Sequence, residues 1–217
     1  MKIKAAVFDM DGTILDTLAD LHACTNYALG KNGFPERTLD EIRCFVGNGL
    51  RRLAERAVPA DADPAAVDAV FADLKAHYAQ HAQDFTKPYD GVIPLLLTLR
   101  GAGVKTAVVS NKVDSAVAEL TAGFFPGLFD VSVGERPGQR LKPAPDAVTA
   151  ALRELGVSQE EAVYIGDSEV DLATARNAGL PCISVTWGFR SREALQALAP
   201  DWLVDTPAEL AAVLSEH

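Results

Sequence analysis

The sequence predicts an α/β fold: a doubly wound parallel sheet with an inserted helical domain. Two observations lead there. Short β-rich runs recur along the chain and, after residue 105, alternate with helical patterns, as βαβ units do in a parallel sheet buried on both faces. Against that rhythm, a stretch of about 70 residues, 16–87, carries helical patterns and almost nothing strand-like, which is too long for one crossover helix.

In chain order, Ala-Ala-Val-Phe at 5–8 reads as the first strand. Asp16 or Thr17 is suited to cap the first helix of the insertion, and Pro88-Tyr89-Asp90-Gly91 marks the return to the core. Helices are then expected at 92–101, 114–121, 145–155, 171–178 and 207–214, several ending at or just before Gly. Strands are expected between them at 105–110, 131–133, 163–166, 182–185 and 202–204. The expected domains are therefore a core of residues 1–15 and 88–217 and a helical insertion of residues 16–87.

At 217 residues, 48% hydrophobic and 23% charged, the chain has an ordinary globular composition with room for a full core. No apolar run approaches the roughly 18 residues of a membrane span. Met1-Lys2 leads directly into the first strand without the pattern of a signal peptide, so a cytoplasmic location and no membrane partner are expected. Cys24, Cys44 and Cys182 are too scattered for a disulfide framework and read as reduced. A net charge of −10 argues against nucleic acid as a partner, though not against a small phosphate held by a few focused groups. The oligomeric state is not legible.

Four elements carry the chemistry. Asp9 and Asp11 leave the carboxyl end of the first strand, where open α/β sheets bind ligands, and Gly12 allows backbone N–H groups to approach an anion. An acidic turn capping the next helix would look the same. Ser110 and Asn111, at the end of the second core strand, offer a hydroxyl and an amide to phosphate oxygens, or ordinary turn chemistry. Lys142, before Pro143 and with Pro145 in a first helical turn, either projects its ammonium onto a phosphate or stays solvated. In Gly166-Asp167-Ser168-Glu169-Val170-Asp171, Asp167 suits direct ligation of a hard cation, Asp171 can orient Asp167 or a metal-bound water, and Glu169 points away; an N-cap with an acidic first turn is the alternative. All four lie at strand ends of one sheet and supply complementary chemistry.

In that order the four elements resemble the motifs of the haloacid dehalogenase superfamily, over essentially the whole chain. Within it, Ser110-Asn111-Lys112, Val46-Gly47-Asn48-Gly49 and Thr186-Trp187-Gly188-Phe189 are most similar to phosphoglycolate phosphatases. The resemblance implies a Rossmann-like catalytic core and, in residues 16–87, the small cap domain that in such enzymes closes over the site and contributes to substrate choice. It implies a Mg²⁺-dependent phosphatase acting on a small phosphorylated metabolite, with 2-phosphoglycolate foremost. Asp9 would be the nucleophile that becomes an aspartyl-phosphate, and Asp11 the acid and then the base. The carboxylates of Asp9 and Asp167 and the main-chain carbonyl of Asp11 would hold Mg²⁺, while Ser110, Asn111, Lys142 and N–H groups near Gly12 would hold phosphate oxygens. True dehalogenases of this fold lack an acid at the position of Asp11, because a halide leaves without a proton.

In the insertion, Gly47, Asn48 and Gly49 precede a helix carrying Arg51 and Arg52; helix-start N–H groups with one arginine can accept a substrate carboxylate, or the segment is a glycine turn with solvated arginines. His77 and His81, four apart, lack a third metal ligand and read as a solvated or packed face. Two other functions remain open: a sugar-phosphate mutase of the same superfamily, and a catalytically idle binding or regulatory module.

Overall fold

Successive residues of each core strand face opposite sides of the sheet, so strands that are apolar throughout require cover on both faces. The computed structural model describes residues 3–216; Met1, Lys2 and His217 lie outside the described residues. In chain order the elements are β1 (Ala5–Phe8), β2 (Leu15–Asp16), α1 (Leu18–Lys31), α2 (Leu39–Phe45), α3 (Gly49–Ala57), α4 (Pro64–His81), β3 (Lys87–Pro88), α5 (Val92–Gly101), β4 (Lys105–Val113), α6 (Asp114–Phe124), β5 (Val131–Glu135), α7 (Asp146–Leu155), β6 (Ala162–Gly166), α8 (Glu169–Ala178), β7 (Cys182–Val185), α9 (Arg192–Ala197), β8 (Trp202–Val204) and α10 (Pro207–Glu216). The chain divides into two compact units, Met1–Leu15 with Pro88–His217, and Asp16–Lys87.

The first unit is built on a six-stranded sheet of order β5-β4-β1-β6-β7-β8, with every neighbouring pair parallel. Ala6, Phe8, Val108, Val163, Ile165 and Ile183 face one apolar layer with Leu96 and Leu99 of α5 and Leu210 of α10. Their neighbours Ala5, Val7, Ala107, Val109, Tyr164 and Cys182 face the other, against Val148 and Leu152 of α7 and Leu172 of α8. The predicted α/β class and doubly wound sheet are present.

Several boundaries moved, and α9 and a small second sheet were not expected. β4 runs on past residue 110 because β5 pairs beyond it: after a register shift, Val113 is matched with Glu135. Helix α7 starts at Asp146, with Pro145 in the N-cap position instead of the first turn. A two-stranded sheet joins β2 to β3, each of two residues, too short to show alternation in sequence.

The second unit is all helix apart from these terminal residues. Thr38 and Glu41 form a reciprocal capping box at α2, and Asp63 caps α4 with Pro64 at its start. Thr17 occupies the N-cap position of α1 without a side-chain bond; Asp16 Oδ1 accepts weakly from the Leu18 N–H at 3.4 Å. Buried Asp20 accepts from the Thr86 N–H at 2.8 Å and the Thr86 hydroxyl at 2.6 Å, tying α1 to the end of its own unit. Cys24 and Cys182 are buried and Cys44 is exposed, none of them in a disulfide. Among the described residues, no helix is long and apolar enough to cross a membrane.

Candidate active site

Between β1 and β6 the strand order reverses, since the chain builds β4 and β5 on one side of β1 and returns to build β6, β7 and β8 on the other. A doubly wound sheet opens a crevice at such a point, at the carboxyl ends of its strands. Asp9 follows β1 and Asp167 follows β6, and the Asp9 N–H donates to the Ile165 carbonyl at 2.8 Å. Sheet register therefore sets the two acids side by side.

Lys142 enters from the segment before α7. Its Nζ donates to Asp9 Oδ1 at 2.7 Å, to Asp171 Oδ1 at 2.8 Å and to the Tyr164 hydroxyl oxygen at 3.1 Å. The ammonium is fully buried, which is tolerable because two carboxylates surround it. Of the two openings left for Lys142, the structure takes the site and not solvent. Burial opposes its charge, yet Asp171 and Asp9 outweigh that and hold its pKa well above the usual lysine value.

Asn111 is tied to Lys142. Its Oδ1 accepts from the Lys142 N–H at 2.7 Å and its Nδ2 donates to the Lys142 carbonyl at 3.1 Å, so the amide clamps the lysine's backbone. The Gly12 N–H donates to the Leu15 carbonyl at 2.9 Å, and the residue makes room by lacking a side chain: at φ 87°, a Cβ there would lie 2.3 Å from Asp167 Oδ2. Asp171 orients Lys142 and Ser168 rather than Asp167; its Oδ2 accepts from the Ser168 N–H and hydroxyl in a capping box that starts α8. Glu169 points outward, paired with Arg190.

Ser110 is buried and its Oγ accepts from the Lys112 N–H at 3.2 Å, which leaves the hydroxyl hydrogen able to donate. Asp11 is partly exposed, with Oδ1 3.2 Å from Lys112 Nζ. Among the described residues, the acid, histidine or cysteine groups close enough to share an ion are Asp9, Asp167 and Asp171, whose ligand oxygens lie within 4.8 Å of one another. An all-carboxylate set suits a hard divalent cation. Asp9 and Asp167, set side by side at the carboxyl ends of the paired strands β1 and β6, are the pair that the sheet itself places there.

Residues 6–185 match the family described as haloacid dehalogenase-like hydrolase. The chain belongs to that family. It is 32% identical to a phosphoglycolate phosphatase of Thiobacillus denitrificans, over 100% of this chain and 97% of that one. It is 37% identical to a phosphoglycolate phosphatase of Rhodobacter capsulatus, over 86% and 85% of the two chains. A solved structure from Lactobacillus delbrueckii subsp. bulgaricus, assigned as a phosphoglycolate phosphatase, is similar at a TM-score of 0.95 with 41% identity, covering 99% of each chain.

In this haloacid dehalogenase-like site, the loop after β7 holds Asp167. The Phe189 N–H donates to Asp167 Oδ2 at 2.7 Å, the Thr13 hydroxyl donates to Asp167 Oδ1 at 3.2 Å, and the Trp187 indole N–H donates to the Thr13 carbonyl at 3.0 Å. Gly188 permits this clasp, since a Cβ would lie 2.3 Å from the Gly12 carbonyl oxygen and 2.4 Å from Asp167. Gly188→Ala is accordingly expected to destabilise the protein by about 1–3 kcal/mol in urea titrations. A change under roughly 0.5 kcal/mol would show that the clasp yields freely.

The cap-loop residues lie in the second unit. Gly47 and Gly49 adopt φ of 117° and 83°, and Asn48 is the N-cap of α3 without a capping bond of its own. Asn48 Oδ1 accepts from Arg56 at 2.8 Å. Arg51 is engaged by Glu55 and Asp68 and lies over the Phe71 ring, and Arg52 pairs with Glu55. His77 stacks on Tyr27 at 3.7 Å and His81 bonds Asp84, as a packed helix face does.

Lys112, Tyr164, Thr13 and Phe189 were missed as site residues. A signal existed for one: Tyr164 is the one polar-tipped residue in an otherwise apolar strand.

Proposed function

We propose that this protein is a Mg²⁺-dependent phosphatase that hydrolyses a small phosphomonoester, with 2-phosphoglycolate as the foremost substrate. What supports this is the convergence of Asp9, Asp167 and Lys142 at the switch point of the sheet. The phosphoglycolate phosphatases it resembles along nearly their full length support the substrate. The first unit is the catalytic core, and the second, Asp16–Lys87, is the cap.

Asp9 attacks phosphorus in line, forming an aspartyl-phosphate as the ester P–O bond breaks. Asp11 gives its proton to the departing alkoxide, then takes one from the water that attacks the aspartyl-phosphate, and inorganic phosphate leaves with Asp9 restored. Ser110 donates to a phosphate oxygen, and Lys142 offsets negative charge on both nucleophile and phosphate. Asn111 and Asp171 act on substrate only through Lys142. Mg²⁺, held by the carboxylates of Asp9 and Asp167 and the main-chain carbonyl of Asp11, supplies further charge neutralisation between the two anions when bound.

Inorganic phosphate release across a panel including 2-phosphoglycolate, sugar phosphates and nucleotides tests the proposal. Isomerised sugar phosphate without net phosphate release would make the protein a mutase, and inertness toward the whole panel with Mg²⁺ would make it a binding module.

The acids also predict how stability depends on pH. Burial, then the charge of Asp171, raises Asp9 well above the usual carboxyl range, and the same two causes push Asp167 up to about 7 from 3.8. A carboxyl raised in the folded state stabilises the fold below its unfolded pKa, and that contribution is lost as pH rises through the folded value. Metal-free protein therefore loses stability as pH rises from about 4 through about 7. Urea midpoints in chelator and in Mg²⁺ check it: the gain from Mg²⁺ is expected to be larger at pH 8 than at pH 5. An equal gain at both would contradict it.

A further inference from the structure

We propose that Lys112 recognises a carboxylate on the carbon next to the ester oxygen, so that the site selects small phosphorylated carboxylic acids; this rests on the phosphatase function above. Three features of the core carry it. Ser110 and Lys112 stand two residues apart near the end of β4, where the Lys112 N–H donates to Ser110 Oγ at 3.2 Å, so a lysine follows closely on the hydroxyl that holds phosphate. The Lys112 side chain is only 6% exposed, and a buried ammonium is sustained by anions around it. Its Nζ stands 3.2 Å from Asp11 Oδ1.

Geometry then specifies the ligand. Asp11 protonates the ester oxygen, so that oxygen comes within about 3 Å of the Asp11 carboxyl during reaction. A cation at hydrogen-bond distance from the same carboxyl lies near groups two bonds from the ester oxygen. In 2-phosphoglycolate that group is the carboxylate, joined through one methylene.

The charges divide in the same way. Lys142 is committed to Asp9 and Asp171 and serves the phosphate end. Lys112 is a second buried cation in the same unit, beside the leaving group. The arginines at the start of α3, an alternative source of positive charge, are held by Glu55 and Asp68.

The test compares 2-phosphoglycolate with 2-hydroxyethyl phosphate, which exchanges the carboxylate for a hydroxymethyl group, in the Mg²⁺-loaded full-length protein. The parent is expected to prefer 2-phosphoglycolate by roughly 100-fold in kcat/KM. Lys112→Met is expected to lose about that factor on 2-phosphoglycolate, largely in KM, and less than about fivefold on 2-hydroxyethyl phosphate. Lys112→Arg should recover at least about a tenth of the parent rate on 2-phosphoglycolate. Arg51→Ala should change neither substrate by more than about twofold. Equal losses on both substrates in Lys112→Met would reduce the lysine to a partner of Asp11 and overturn the proposal. So would a loss confined to 2-phosphoglycolate in Arg51→Ala with Lys112→Met unaffected. Should Lys112→Met not fold, the parent decides: no preference between the substrates, with both hydrolysed, overturns the carboxylate site and leaves the phosphatase intact. Hydrolysis of neither overturns both.

Discussion

Asp9→Asn is expected to lower phosphate release by at least about 10⁴-fold while leaving the fold intact, since it removes the nucleophile and little else. Asparagine has the shape of aspartate, and the Asp9 N–H bond to Ile165 that continues β1 into the site is unaffected. The amide cannot form an acyl-phosphate under these conditions. The same substitution removes one of the two buried carboxylates paired with the Lys142 ammonium, in a cluster of three buried acids. Asp9 is held well above the usual carboxyl range by burial, Asp171 and Asp167 despite Lys142. Metal-free Asp9→Asn protein is therefore expected to be at least as stable as the parent at pH 8, a site where function is kept at a cost to the fold. Acid quench with labelled substrate should trap phosphoprotein in the parent and none in the variant. Retention of a tenth of parental turnover would exclude the aspartyl-phosphate route.

Lys142→Met should be the most damaging substitution for fold and function together. Its ammonium bonds Asp9, Asp171 and Tyr164 at once, and methionine replaces the volume without the charge. Taking one partner out of a buried charge cluster costs about 3–5 kcal/mol, here expected in metal-free protein near pH 8. Turnover should fall about 10³-fold through loss of phosphate charge stabilisation. Added Mg²⁺ is expected to restore much of the stability, by neutralising the acids, and little of the activity, because it cannot replace a donor fixed beside Asp171. Urea titration and phosphate release, each with and without Mg²⁺, separate the two. Turnover within tenfold of the parent would remove Lys142 from the catalytic set.

The order of strands and helices was legible because apolar alternation and turn residues are local. Asp9, Ser110, Lys142 and Asp167 were legible for a related reason: each ends or follows an element whose direction the pattern reveals. Asn111 and Gly12 show where that legibility stops. Each was singled out for a phosphate, and the structure adds contacts that were not foreseen: Asn111 clamps the backbone of Lys142 and Gly12 yields space to Asp167. Both roles depend on a neighbour far away in the chain. Lys112 passed as part of a family-like tripeptide because nothing in its own segment foretells burial beside Asp11.

By itself, then, the amino-acid order determined the fold class, the helical insertion and the set of chemical groups available for phosphoryl transfer, all consequences of short-range periodicity. Only the tertiary structure decided which group meets which. Lys142 and Asp9 are 133 residues apart and come within 2.7 Å because β1 pairs with β4 and Asn111 of β4 holds the Lys142 backbone, and a shift of a single residue along either strand would turn its side chains to the opposite face.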